Sequence, residues 1–235
     1  MQPSRSGGGD LSLLLAQLLV KIPMDLTALR QEYANQDLDV STTDPNPFVQ
    51  FQHWFEAATK SDLLEPNALV LATVDATGQP SQRTVLLKTF DTSGFVFFTN
   101  YGSRKAQQIA GNSHVSLLFQ WLPLHRQVEI HGVAIKISTA ESLSYFARRP
   151  RGSQLGAWIS RQSEVVSNRS VLETKWEEMK RQFGDGSIPL PKFWGGYRVK
   201  PTRFEFWQGG AKRLHDRIEY LPITADAWER HRLSP

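Results

Sequence analysis

The sequence predicts a mainly β fold, an antiparallel barrel with helical decorations, and three features lead there. Short stretches rich in apolar, β-branched and aromatic residues recur through the middle of the chain. Tight-turn residues separate them, as in Ala76-Thr77-Gly78 and Asp91-Thr92-Ser93-Gly94. Few helical segments intervene, so the strand–helix alternation of a doubly wound parallel sheet is missing.

In order along the chain, residues 24–33 suit a short helix, with Leu26, Leu29 and Tyr33 at helical spacing, and Asp37 to Pro47 reads as a turn-rich linker. Phe48, Phe51, Trp54, Phe55 and Ala58 recur at three- and four-residue intervals, which gives an amphipathic helix ending near Ser61. Strands are expected at Ala68–Asp75, Arg83–Phe90 and Phe95–Thr99. Ser103 suits the N-cap of a short helix over Arg104–Ala110. Two longer strands follow at His114–Trp121 and Gln127–Ser138, then helices at Thr139–Phe146 and Val171–Phe183. The last strands are expected at Tyr197–Lys200, Arg203–Trp207 and Arg217–Leu221.

Composition narrows the chemistry. With 235 residues, 40% of them apolar, the chain can bury a sizeable core in one domain. The net charge of +4 makes anionic partners plausible, but the cations come in ones and twos, without the basic runs of a nucleic-acid binder. The absence of cysteine removes thiol nucleophiles and cysteine metal sites, and is compatible with a reducing cytoplasm. His spacing offers no metal motif, so no metal is expected. Leu11–Val20 is about half a membrane span, and Lys21-Ile22-Pro23 supplies no cleavage site. Residues 1–23 therefore read as an extension, with no export and no membrane anchoring, and 24–235 as a single domain. GxGxxG after a strand, GxxxxGK[ST] and GxSxG are all absent, which argues against the usual dinucleotide, P-loop and hydrolase sites.

Three polar constellations remain. In Arg83-Thr84-Val85-Leu86-Leu87-Lys88 the cations are five apart, so a regular strand puts them on opposite faces. Ser103-Arg104-Lys105 belongs with it and opens a helix, where spare N–H groups and cations favour an anion. Arg148-Arg149-Pro150-Arg151-Gly152-Ser153 reads as a donor-rich loop after a helix stopped by Pro150. Two separate basic clusters suggest two phosphates, one on a cofactor and one on a substrate, with a solvated face as the plain alternative for each. The third constellation follows Gly209-Gly210: strand alternation would put Arg213, His215 and Arg217 on one face, whether as a site or as the charged edge of a sheet.

Over residues 24–235 the chain resembles the pyridoxamine 5'-phosphate oxidase family. The matching motifs are Leu29-Arg-Gln-Glu-Tyr33, Arg83–Lys88, Phe97-Phe-Thr-Asn100 with Ser103-Arg-Lys105, Arg126-Gln-Val128, Tyr145-Phe with Arg149-Pro150, Ser153-Gln-Leu-Gly-Ala157, Gln162-Ser163, Phe193-Trp-Gly-Gly196, and Phe206-Trp-Gln-Gly209 leading to Arg213-Leu-His-Asp-Arg217. The resemblance implies an FMN-binding split β-barrel, a homodimer with FMN at the subunit interface, and oxidation of pyridoxamine and pyridoxine 5'-phosphates to pyridoxal 5'-phosphate, with O2 as acceptor and H2O2 released. It implies cofactor contacts from Arg83, Thr84, Val85, Leu86, Leu87, Lys88, Phe98, Thr99, Arg104, Lys105, Gln127, Gln162, Ser163, Trp207 and Arg217. Lys88, Tyr145, Arg149 and Ser153 would hold the substrate phosphate. Arg213 and His215 would cover its ring as the catalytic pair, and Arg30 and Tyr33 would come from an N-terminal lid.

Overall fold

A computed structural model describes Tyr33, residues 37–224 and residues 226–235. The helix expected over residues 24–33 (Tyr33 excepted), Arg30 and the 1–23 extension lie outside the described residues.

Helix α1 (Pro47–Thr59) starts where Asn46 accepts a hydrogen bond from the Phe48 N–H and Pro47 takes the first turn. Its apolar stripe buries Phe48, Phe51, Trp54 and Ala58. Phe51 is fully buried, and its ring meets those of Phe90, Phe95 and Phe119 at centroid distances of 4.9, 4.9 and 5.0 Å. The helix thus supplies an aromatic plug to the barrel.

The strands are β1 (Ala68–Val74), β2 (Pro80–Leu86), β3 (Thr89–Asp91), β4 (Gly94–Asn100), β5 (His114–Trp121), β6 (Arg126–Lys136), β7 (Trp194–Gln208), β8 (Asp216–Pro222) and β9 (Trp228–Leu233). Helices α2 (Arg104–Gly111), α3 (Thr139–Ala147), α4 (Arg151–Ile159) and α5 (Arg169–Phe183) decorate them. The sheet runs β2-β1-β5-β6-β7-β4-β3, with β8 on β7 and β9 on β8. Every pairing is antiparallel, as the sequence predicts. The split lies in β7, which pairs with β4 through its first half and with β8 through its second.

Several local expectations are corrected. The strand expected over Arg83–Phe90 breaks at Leu87-Lys88. There the Leu87 N–H turns to the Asn67 carbonyl at 2.8 Å and the Lys88 N–H to that of Val96 at 2.9 Å, making a corner between β1 and β4. The two strands expected around Pro201 are one, because the register shifts opposite it between His131 and Gly132, and a bulge tolerates a residue without an N–H. Gly132 is required there, since a Cβ would strike the Lys200 carbonyl. The loop expected at Arg148–Ser153 is shorter: α4 starts at Arg151, with Pro150 as its N-cap. Lys212 and Arg213 have left-handed φ of 55° and 63°, so Arg213 belongs to a turn and β8 starts only at Asp216. Arg213, His215 and Arg217 therefore do not alternate along one strand. Strand β9, which the sequence reading lacks, closes the C-terminal edge.

Candidate active site

A cavity of about 390 Å³ opens where β2, β4, α2, α3, α4 and the start of β7 converge. Its polar lining carries Lys88, Lys105 and Arg149, together with Thr99, Tyr145, Ser153 and Gln162. Among the described residues no carboxylate lines it. Thr84, Val85, Leu86 and Phe98 complete the predicted residues that the fold brings here.

One wall is aromatic. Phe98 stacks on Tyr145 at 3.9 Å and on Trp194 at 5.2 Å, and the Arg149 guanidinium lies 4.6 Å from the Trp194 ring centroid. Burial lowers the Arg149 pKa and raises that of Tyr145. Arg149 Nη1 is buried with no hydrogen-bond partner among the described residues. A buried cationic donor costs free energy unless an acceptor meets it, so this atom fits an anionic ligand.

The second basic group sits at the start of α2. Ser103 caps that helix by accepting from the Ala106 N–H. Lys105 Nζ donates to Gln162 Oε1 at 2.9 Å and Thr99 Oγ1 at 3.3 Å, and the Arg104 N–H donates to Ser163 Oγ at 3.3 Å. Burial, and then the Arg83 charge, bring the Lys105 pKa down to about 8. Arg83 is itself lowered by burial and by Arg104, so three cations crowd one another at a helix N-terminus. Arg83 does not line the cavity: it donates to Thr73 Oγ1 at 2.5 Å and Gln108 Oε1 at 3.3 Å, while Lys88 lies past the end of β2. Leu87 is in the core, 5% exposed, with its main-chain groups tied to Asn67.

The remaining predicted residues gather elsewhere. Gln127, Trp207 and Arg217 are register partners across β6, β7 and β8, and form one row on one face. The His215 ring lies 4.8 Å from Trp207, and Tyr33 packs edge-on against both. His215 Nδ1 accepts from the Gly210 N–H at 3.2 Å, which assigns the proton of the neutral ring to Nε2. Along β7, Trp207 is eleven residues beyond Gly196, the register partner of Phe98, roughly 36 Å at strand rise. The predicted residues thus fall into two groups, one toward each end of the longest strand.

The sequence reading missed Trp194, Asn100 and Ser160 as lining residues. Trp194 stood inside a quoted motif, and its signal was an aromatic ring directly before Gly195-Gly196. Asn100 closes the Phe97–Asn100 motif, where nothing about its type marks it as lining, because its part is to hold the Ser160 carbonyl at 2.8 Å.

Barrel and cleft together define the class: a split-barrel protein with a cationic, partly aromatic cleft suited to phosphorylated ligands. Residues 55–183 match the family model described as pyridoxamine 5'-phosphate oxidase, and 194–235 match the pyridoxine 5'-phosphate oxidase C-terminal dimerisation region. A pyridoxine/pyridoxamine 5'-phosphate oxidase from Crocosphaera subtropica is 64% identical over 214 residues, covering 90% of this chain and 100% of that one. Its namesake from Rubrobacter xylanophilus is 54% identical over 211 residues, covering 90% and 97%. Among solved structures, PhzG from Burkholderia lata, in complex with tetrahydrophenazine-1-carboxylic acid, superposes with a TM-score of 0.78 at 27% identity, over 83% of this chain and 95% of that one. A pyridoxamine 5'-phosphate oxidase-related, FMN-binding protein from Nostoc punctiforme shares the fold, with a TM-score of 0.66 at 16% identity over 80% and 98%. The chain belongs to the pyridoxamine 5'-phosphate oxidase family.

Proposed function

We propose that this chain is an FMN-dependent oxidase converting pyridoxamine 5'-phosphate and pyridoxine 5'-phosphate to pyridoxal 5'-phosphate, with O2 consumed and H2O2 released. The observation that carries the reading is a cleft that, among the described residues, holds no carboxylate and leaves the buried Arg149 Nη1 without a partner, in a chain of this family. The two basic groups fit two phosphates. Arg104, Lys105 and Arg83 suit that of FMN, and Lys88, Arg149, Tyr145 and Ser153 suit that of the substrate.

The separation of the cleft from the Gln127–Trp207–Arg217 row favours a homodimer in which that row, Arg213 and His215 of one copy complete the cleft of the other. FMN, when bound, supplies the two-electron acceptor that O2 restores. The chain's own part is alignment and electrostatics. Lys88 and Arg149 anchor the substrate phosphate, and the Phe98–Tyr145–Trp194 wall excludes water from one side. Arg213 orients the pyridine ring, and His215 holds its exchangeable proton at Nε2. The same reading takes residues 24–235 as one oxidase domain, residues 1–23 as an extension to it, and the cytoplasm as its location. Among the described residues no helix is long and apolar enough to cross a membrane.

A visible spectrum of the purified protein, followed by anaerobic addition of pyridoxamine 5'-phosphate, tests this. Flavin bands that bleach with substrate and return in air, with peroxide and aldehyde formed, are the expected result. A flavin spectrum indifferent to the substrate overturns the substrate assignment. A colourless chain that FMN cannot reconstitute overturns the flavoenzyme reading.

A further inference from the structure

Strands β6, β7 and β8 place Glu129, Glu205 and Glu219 directly opposite one another, on the same sheet face as Gln127, Trp207 and Arg217 and one pleat away. Like charges in register repel. Glu205, the middle one, is only 8% exposed. A buried carboxylate adds little stability that an apolar residue of similar size would not, so its presence calls for another reason.

The hydrogen bonds supply one. Arg203 donates to Glu129 at 3.2 Å, to Glu219 at 2.5 Å and to Glu205 Oε2 at 2.6 Å, which places one cation among the three carboxylates. That leaves Glu205 Oε1 to accept from Arg217 Nε at 2.8 Å, while Arg217 Nη1 donates to the Ser234 carbonyl at 2.8 Å. An arginine free at a sheet surface loses considerable rotamer entropy on ordering, about 2 kcal/mol, and here that ordering is already in place. The Glu205 contact also raises the Arg217 pKa.

We propose that Glu205 is a positioning residue for the cofactor site, holding the Arg217 guanidinium in the Gln127–Trp207–Arg217 row where the flavin ring is to be met. The inference rests on the proposed function. Arg203 then serves Glu205 by offsetting part of its charge, and Glu205 itself need not touch the ligand.

FMN titration of apoprotein by flavin fluorescence, with thermal unfolding alongside, tests it on Glu205→Gln, Arg217→Gln, the double variant and Glu219→Gln. Glu205→Gln should weaken FMN binding roughly tenfold, the scale of one charge-assisted hydrogen bond. The double variant should bind no worse than Arg217→Gln alone, and Glu219→Gln, which disturbs Arg203 but not Arg217, should stay within about twofold of the unaltered chain. Losses that multiply in the double variant, or a Glu219→Gln loss equal to that of Glu205→Gln, would overturn the clamp. If Glu205→Gln does not fold, Glu205→Asp, which keeps the charge but draws it back, takes its place in the cycle. Failure of the unaltered chain to bind FMN would instead overturn the functional reading, so the two failures are distinguishable.

Discussion

Replacing Arg149 by alanine removes the one buried side-chain donor that the described residues leave unsatisfied. Its guanidinium lies over Trp194 at 4.6 Å, and Nη1 has no partner among the described residues, so a substrate phosphate would meet a cation already desolvated and oriented. A hydrogen bond to a charged group contributes about 1.5–3 kcal/mol, which corresponds to roughly a 10- to 150-fold change in affinity. The phosphate is bound alike in the ground and transition states, so the loss should fall on KM and leave kcat within about threefold. Steady-state oxidation of pyridoxamine 5'-phosphate, with FMN content measured on the same samples, reads both. Arg149→Lys should recover part of the loss, because it restores the charge but not the planar fork. An unchanged KM, or loss of FMN in proportion to loss of activity, would refute the assignment of Arg149 to the substrate phosphate.

Three further expectations follow from the same geometry. Because Lys105 titrates near 8, below its ordinary value, and an anion prefers its charged form, FMN affinity should fall as pH rises above about 8, by up to tenfold per unit. Lys105→Met should flatten that profile. The same shift means that the unfolded chain binds more protons between about pH 8 and the ordinary lysine value, so Lys105 makes folding more favourable as pH rises through that window, as urea unfolding of the apoprotein can check. If the active site is shared between copies, mixing unfolded Arg149→Ala and Arg213→Ala chains and refolding them should restore, at substrate well below the unaltered KM, roughly a quarter of normal activity, since half the dimers are mixed and each has one intact site; no recovery would place both residues in a site built by one chain. Phe51→Ala should cost about 3–5 kcal/mol in urea unfolding, because the ring is fully buried among Phe90, Phe95 and Phe119.

Most of the barrel was legible because its signals are local. Alternating strands such as His114–Trp121 and Ala68–Val74, the Ser103 cap, and the helical spacing of Phe48, Phe51 and Trp54 each announce themselves within a few residues. Parity applies only within a regular strand, so it did not decide Arg83 against Lys88, which lies past the end of β2 at Leu86. It failed at Arg213–Arg217, where two consecutive residues take left-handed φ, a conformation for which neither Lys212 nor Arg213 carries a signature. Pro201 suggested a strand end because the bulge that accommodates it depends on Gly132, 69 positions earlier in the chain.

By itself the sequence determined the antiparallel class, the strands that carry the cleft, and an anion preference set by cations clustered at a helix start and beside Pro150. Residue types and short spacings suffice for those, since cap, turn and charge effects act over one or two turns of chain. Tertiary structure alone decided that Arg149 Nη1 would be buried with no partner among the described residues, that Trp194 would wall the cleft, and that the Gln127–Trp207–Arg217 row would sit at the far end of β7. Those facts depend on register and on long-range packing, which bring together residues dozens of positions apart and leave no mark on the local pattern.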